Sequence, residues 1–463
     1  MNRTTRSFVL IFSLLLATGA LGSFRKADIA VPGTTTHVAM YVANETAADT
    51  IVLVHGLGRA AHKDWDWLSP KITSSHKVVL VDLPEFGASP LLKKGVNPSL
   101  DLYASAIKAV IQKEGKGKVC LVGHSLGGAT SLLFASKYPE MIDRLVLLSP
   151  AGVLHRASFL ANLMNVYNFG QKTGRENFFT DLFSNTALIS DIFIEDLSSK
   201  LNMGKVLPED PLARAGWALI HEDFKEAVET LRLPTLIIWG ENDRVTPVRT
   251  GYGLAHVLPQ ADIVVFPKGD HVSILRDEAT LGNLRKFLAG EKNTANIRTQ
   301  KKMVAKIGTC LNNNQLAFTG VYESISLTNC KNVEIKEVAT TSLTMQNSSA
   351  IMLNSKITSN DEALVVSNGK LVVAGSDITS AKSLKVRGEA TLDIAGSLLK
   401  IEAKEPVEFS PLSVVIYSWS RLESTNNRRM LHGFGEDNCT AGCRGKRFWN
   451  KTRIFLDAIK VLR

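Results

Sequence analysis

From Asp49 to Leu288, short apolar runs alternate with segments of helical spacing. The runs are "TIVLVHG", "KVVLVDLP", "KVCLVGHS", "RLVLLSPAG", "TLIIWGEND" and "DIVVFPKGDH". Each is apolar at consecutive positions rather than at every second one, as suits parallel strands covered by helices on both faces. "SLDLYASAIKAVIQKEG" carries its apolar residues at helical spacing and stops at a glycine. Strand, helix and strand in this order predict an α/β fold with a doubly wound, mostly parallel sheet. The alternation lapses between Gly152 and Leu233, where helical patterns carry a series of aromatics from Phe159 to Phe193. An apolar insertion between two sheet strands is expected to sit above the strand ends as a helical cap, over about 153–232.

After Ala289 the stretch "GEKNTANIRTQKKMVAKIG" is polar, charged and aperiodic, which predicts a linker over 291–308. Beyond it helical spacing disappears, and Ser, Thr, Asn and Gly punctuate short runs of period two. Those runs repeat. "SLTMQNS", "ALVVSNG" and "SLKVRGE" superpose at steps near 21 residues, and "GKLVVAGSDIT" aligns with "ATLDIAGSLLK" at the same step. A repeat of that length built only of strands and turns suits one coil of a parallel β-helix, whose coils bury their apolar faces by stacking. An all-β solenoid is therefore predicted over 309–423. A β-sandwich of short strands is the competing arrangement, but the in-phase recurrence of Gly, Asn and Ser favours the solenoid. The remainder, 424–463, reads as a basic tail in which "RIFLDAIKVLR" has the spacing of a capping helix.

Composition narrows the class. The 463 residues are 45% hydrophobic and 21% charged, which describes a globular protein of two or more domains. Of the net charge of +10, a disproportionate part lies from Arg421 to the end, where ten Lys/Arg face four Asp/Glu. A basic balance favours an anionic partner such as a membrane face or a polymer; nothing in the motifs calls for nucleic acid. The first 22 residues join two arginines to about 15 mostly apolar residues, with Ala20 and Gly22 before Ser23. This is the pattern of an export signal, an uncleaved anchor being the alternative. Of the five cysteines, Cys120 falls inside an apolar strand and is expected to be a free thiol. Cys439 with Cys443 is expected to close a small disulfide loop, and Cys310 with Cys330 could form a second.

The stretch with the clearest chemistry is "KVCLVGHSLGGAT", residues 118–130. A serine set between glycines, after an apolar strand and before a helix of small residues, fits G-x-S-x-G. In such a turn the flanking glycines remove side chains that would clash, and the hydroxyl is raised out of the sheet. A hydroxyl becomes nucleophilic only beside a general base that an acid orients. Asp243, in "IIWGENDRVTP", and His271, in "VVFPKGDHVSILRDE", each follow a strand end on the edge that carries the loops. Asp270 and Glu241 are weaker candidates for the acid, and His55 and His124 are expected to be structural.

With these residues in place, 28–290 resembles the α/β-hydrolase superfamily in its esterase- and lipase-like branch. "VLVHGLG" is similar to the family's oxyanion loop, and "DLPEFGASP" to its D-x-P-G-x-G-x-S loop, with Glu85 in place of the usual glycine. The resemblance implies Ser125 as nucleophile, His271 as general base, Asp243 as orienting acid, and the backbone amides of Leu57 and Leu126 as oxyanion hole. It implies no metal and no organic cofactor. The serine excludes relatives with an aspartate nucleophile, leaving esters, thioesters, amides, activated carbon–carbon bonds and acyl transfer. The expected function is an exported serine hydrolase of lipid-like or other small apolar esters, with membrane or polymer contact through the C-terminal domain. An adhesive or carbohydrate-binding solenoid with an inactive hydrolase domain is the alternative. Because every candidate catalytic residue precedes the linker, 23–290 is expected to fold and act alone.

Overall fold

The computed structural model describes residues 24–93, 96–158, 210–291, 303–424 and 427–435. The six apolar runs form parallel strands: β3 (Thr50–Val54), β4 (Lys77–Val81), β5 (Val119–His124), β6 (Arg144–Leu148), β7 (Thr235–Gly240) and β8 (Ala261–Phe266). They are preceded by β1 (Arg25–Ala30) and β2 (His37–Ala43), and the sheet order is β1-β2-β4-β3-β5-β6-β7-β8. β1 and β2 are antiparallel additions at one edge that the run pattern does not announce. On the free edge β1 needs only one apolar side, and its residues are alternately exposed and half-buried.

Why the inner strands are apolar throughout is visible in their neighbours. Val52 and Val54 join one core with Leu121 and the helices α1 (Leu100–Glu114) and α2 (Leu126–Lys137), while Ile51 and Leu53 join a second core on the opposite face. That second core holds Trp65 together with Leu281, Leu284 and Phe287 of the helix Glu278–Leu288. Successive strand residues therefore feed different cores, each fully buried side chain contributing about 1.5–3 kcal/mol. α1 starts where Ser99 accepts from the Leu102 amide at 3.1 Å and ends at Gly115.

Of the expected cap, 153–158 and 210–232 are described; the latter contains α3 (Pro211–His221) and α4 (Lys225–Thr230). The aromatics from Phe159 to Phe193 lie outside the described residues, as do the export signal, Cys439, Cys443 and "RIFLDAIKVLR". α5 (Arg249–Val257) and α6 (Glu278–Leu288) complete the first domain.

The repeats are coils of parallel strands. One stack is β12 (Ser342–Gln346), β15 (Leu364–Ser367), β18 (Leu384–Arg387) and β21 (Val407–Phe409). A second is β13 (Ser349–Leu353), β16 (Lys370–Ala374), β19 (Thr391–Ala395) and β22 (Val414–Ser424). A third is β14 (Lys356–Ser359), β17 (Asp377–Ser380) and β20 (Leu398–Ile401), which ends on the later part of β22. Leu343 pairs with Leu364 and Met345 with Val366, all buried, so the predicted register is the observed one. Parallel pairing at every step excludes the sandwich. Turns are marked by asparagines of positive φ, among them Asn329 and Asn347, a conformation Asn tolerates better than most residues. They stack: Asn329 donates to Asn312 at 2.9 Å and Asn347 to Asn329 at 3.2 Å.

Both solenoid boundaries move outward. Met303–Leu311 is a strand parallel to Ala317–Thr328, so the last residues of the expected linker belong to the solenoid. Likewise Asn427–Phe434 pairs antiparallel with β22 and continues the sheet into the expected tail. Cys310 and Cys330 form a disulfide between neighbouring coils, and Cys120 is a buried free thiol whose pKa burial pushes up.

The two domains share a buried face. Leu353, Ala374, Ala395 and Trp419 of the solenoid belong to the same core as α5 and the sheet, and Trp419 is fully enclosed. Close approach is set by glycines: a Cβ on Gly253 would lie 2.9 Å from the Trp419 ring, and one on Gly396 would lie 2.3 Å from the Gly253 carbonyl oxygen. In the full chain, 24–290 is packed against the solenoid along this face.

Candidate active site

Ser125 occupies the turn between β5 and α2 with φ 51° and ψ −116°, a backbone outside the ordinary regions for a residue with a side chain. Three hydrogen bonds hold it there. Its N–H donates to Leu148 O at 3.0 Å, and its carbonyl accepts from Ala129 and Ala151 at 3.0 and 3.1 Å. The glycines are sterically required: a Cβ on Gly123 would lie 2.3 Å from Gly127 O, and one on Gly127 would lie 2.3 Å from Val54 O.

His271 Nδ1 lies 2.8 Å from Asp243 Oδ2. A carboxylate only accepts, so Nδ1 carries the proton and Nε2 is left as the basic nitrogen. The other acceptor, Oδ1, takes the amides of Val245 and Thr246 at 2.9 and 2.8 Å, and the Thr246 hydroxyl donates to Oδ2 at 2.8 Å. Burial pushes the Asp243 carboxyl up, but the hydrogen bond and charge of His271 and the Thr246 donors outweigh it, holding the group below its usual value. The acid is thereby ionised and fixed.

Ser125 and His271 are brought together through their neighbours. His124 Nε2 donates to the His271 carbonyl oxygen at 2.9 Å, and the two imidazoles lie 4.8 Å apart. Among the described residues no hydrogen bond joins the Ser125 hydroxyl to His271; such bonds commonly tighten only when substrate arrives. Leu126 heads α2, so its N–H has no acceptor within the helix. Leu57 follows Gly56, where a Cβ would lie 3.2 Å from Ser125 Cβ, and the Gly56 amide is tied to Asp64 at 3.1 Å. The Leu126 amide thus adjoins the serine in the chain, and the loop residue before Leu57 packs against the serine side chain.

The remaining candidates take other places. Asp270 accepts from the amides of Val272 and Ser273, just before the short turn at Ser273–Arg276. Glu241 forms an ion pair with Lys336 of the solenoid. His55 donates from Nδ1 to Gly56 O at 2.7 Å and accepts the Leu83 amide at 3.1 Å, while burial lowers its pKa. It is a neutral strut, as is His124, which burial and the neighbouring His271 push down to about 3.

Two features escaped the sequence reading. Thr246 supplies two donors to the acid, and its spacing three residues after Asp243 is the signal of an Asx-type turn. The second is the use made of Glu85. It keeps φ 74° where the resembled loop has glycine, a backbone that costs another residue about 1–2 kcal/mol. Its buried carboxylate accepts from Arg214 of α3 at 2.5 Å, tying this loop to the cap. Burial pushes its pKa up, against the charge of Arg214. Among the described residues no His, Cys, Asp and Glu cluster is arranged to hold a metal ion.

Residues 49–278 match the family described as the alpha/beta hydrolase fold, and the match ends before the solenoid. A 2-hydroxy-6-oxononadienedioate/2-hydroxy-6-oxononatrienedioate hydrolase of a Pseudomonas species is 27% identical over 251 residues, 48% of this chain and 81% of that one. A 2-hydroxy-6-oxo-2,4-heptadienoate hydrolase of Pseudomonas putida is 27% identical over 254 residues, 53% of this chain and 91% of that one. Among solved structures, an esterase from Thermogutta terrifontis superposes with a TM-score of 0.43 at 19% identity, over 57% of this chain and 98% of the other.

Proposed function

We propose that this chain, whose residues 49–278 belong to the α/β-hydrolase family, is a serine hydrolase that attacks an acyl carbonyl through Ser125. The observation that carries the reading is the oriented pair: Asp243 fixes the proton of His271 on Nδ1 and leaves Nε2 as the basic nitrogen, on a histidine whose backbone carbonyl is held by His124, the residue before Ser125. In this mechanism His271 Nε2 takes the Ser125 proton as Oγ bonds to the carbonyl carbon. The amides of Leu57 and Leu126 receive the developing oxyanion, each such donor contributing about 3–4 kcal/mol to the transition state. Collapse expels the leaving group, which takes the proton from Nε2, and water repeats the sequence to release the acid.

Small apolar carboxylic esters are the proposed substrates, and export is proposed from the apolar N-terminus, with the Cys310–Cys330 disulfide in keeping with it. A second reading comes from the relatives. The compounds in their names carry a 6-oxo group and no ester, so their hydrolysis breaks a carbon–carbon bond beside a ketone. The same nucleophile and oxyanion donors would serve either reaction, because both begin at a carbonyl carbon.

Labelling with a fluorophosphonate, followed by turnover of p-nitrophenyl acetate and of 2-hydroxy-6-oxo-2,4-heptadienoate, tests the proposal. Ser125 is expected to carry the adduct, and Ser125→Ala is expected to lose label and turnover while melting at the wild-type temperature. Absence of an adduct on the wild-type protein would remove the serine mechanism and leave the solenoid as the functional part. Faster turnover of the dienoate than of the ester would select the second reading.

A further inference from the structure

We propose that Asp393 of the solenoid is a positioning residue for the catalytic acid, which makes the solenoid part of the active-site framework rather than an appended module. The inference rests on the proposed roles of Ser125, His271 and Asp243.

Asp393 projects from β19 into the domain interface and is almost wholly buried. One oxygen accepts from Arg249 Nη2 at 2.9 Å, the other from the Ser158 hydroxyl at 2.9 Å. Arg249 is the first residue of α5, which directly continues the loop bearing Asp243. That loop is a short stiff unit: Trp239 Nε1 donates to Thr246 O at 2.8 Å, and the Thr250 amide donates to Pro247 O at 3.0 Å. Arg249 is itself buried, and Asp393 is the ion-pair partner that the described residues give it. Removing the carboxylate leaves a buried guanidinium without its counter-charge, the situation in which a polar group forces local rearrangement.

The second oxygen of Asp393 reaches the other loop of the site. Segment 149–158 leaves β6, and its Ala151 amide bonds to the carbonyl of Ser125 while Ser149 O lies 3.3 Å from the Thr246 hydroxyl oxygen. The solenoid grips this segment three times: Asp393 at Ser158, Ser418 Oγ at the His155 amide (3.0 Å), and Trp419 Nε1 at Val153 O (2.9 Å). A single carboxylate thus joins the loop behind the nucleophile to the loop carrying the acid. Among the described residues its hydrogen-bond partners are Arg249 and Ser158, so its effect is expected on the chemical step rather than on binding. Misplacing a catalytic group by about 1 Å can cost about a hundredfold in rate.

The test uses the full chain with Asp393→Asn, which keeps shape and the Ser158 contact but removes the charge. Turnover of p-nitrophenyl acetate per fluorophosphonate-titrated site is expected to fall about 10- to 100-fold, with KM within about threefold of wild type. Arg421→Met removes another interdomain bond, from Arg421 Nη2 to Val257 O at the far end of α5 (2.8 Å), and is expected to stay within about twofold. Should Asp393→Asn give no soluble protein, Arg249→Gln, which removes the other charge of the same pair, carries the same expectation. Hydrogen exchange at the Val245 and Thr246 amides, read without substrate, is expected to quicken about tenfold or more in Asp393→Asn. This measurement stands even if Ser125 takes no label, so failure of the function and failure of the positioning role are told apart. Unchanged turnover per site with unchanged exchange would overturn the assignment, as would an equal loss in Arg421→Met.

Discussion

Asp243→Asn is the substitution whose outcome the geometry constrains most tightly. The acid's Oδ1 accepts two backbone amides, from Val245 and Thr246. An asparagine must place its carbonyl there, because its NH2 would otherwise face two donors. That choice fixes the NH2 at the position of Oδ2, where it meets His271 Nδ1. A donor at that point demands a lone pair on Nδ1, so the imidazole proton moves to Nε2, which then has no lone pair with which to take the serine proton. The wrong tautomer in an otherwise intact triad lowers kcat by roughly 10⁴, or about 5 kcal/mol at 1.36 kcal/mol per tenfold. The assay is p-nitrophenyl acetate turnover by full-length variant, with a thermal melt to show that the fold persists. Asp270→Asn and Glu241→Gln, whose carboxylates accept backbone amides and pair with Lys336, are expected to remain within about threefold of wild type. A folded Asp243→Asn enzyme within tenfold of wild type would refute the orientation argument, and a larger loss in Asp270→Asn would move the acid to that residue.

In the solenoid, Leu364→Asp would set an unpaired carboxylate between coils and is expected to cost several kcal/mol in full-chain melts; Val365→Asp, half-exposed one residue on, should cost under about 1 kcal/mol. Equal losses would contradict the inward register of β15. His124 gives a pH dependence. Its folded pKa, about 3, lies below the unfolded value near 6.5, so the unfolded chain binds the proton more readily. The associated stability is complete above about pH 6.5 and is lost as pH falls toward 3, at up to about 1.4 kcal/mol per pH unit. Urea midpoints of wild type and His124→Asn between pH 7 and 4 should show a shallower slope in the variant; parallel slopes would count against a neutral buried imidazole.

How much of this was readable in the chain depends on whether the controlling interactions are local. The six inner strands were, because a strand buried on both faces must be apolar at every position, and "IVLV" or "LIIW" permits little else. The Ser125 turn was, because its steric demand falls on Gly123 and Gly127 within two residues of the serine. The solenoid register was too, since a period near 21 sets Leu343 on Leu364 and Met345 on Val366. The outer limits were not: Met303–Leu311 and Asn427–Phe434 are strands because Ala317–Thr328 and β22 offer them partners, and their own residues look like linker and tail. The choice among Asp243, Asp270 and Glu241 also needed three dimensions, since all three sit near a strand end and only the fold decides which carboxylate faces Nδ1. Glu85 holds a glycine backbone because Arg214, 129 residues away, receives its carboxylate. The largest departure is the interface. Trp419, Asp393 and Gly253 carry no mark in sequence that they meet, because a contact between residues more than a hundred positions apart leaves no periodicity. Only the packed structure joins the solenoid to the loop of Asp243.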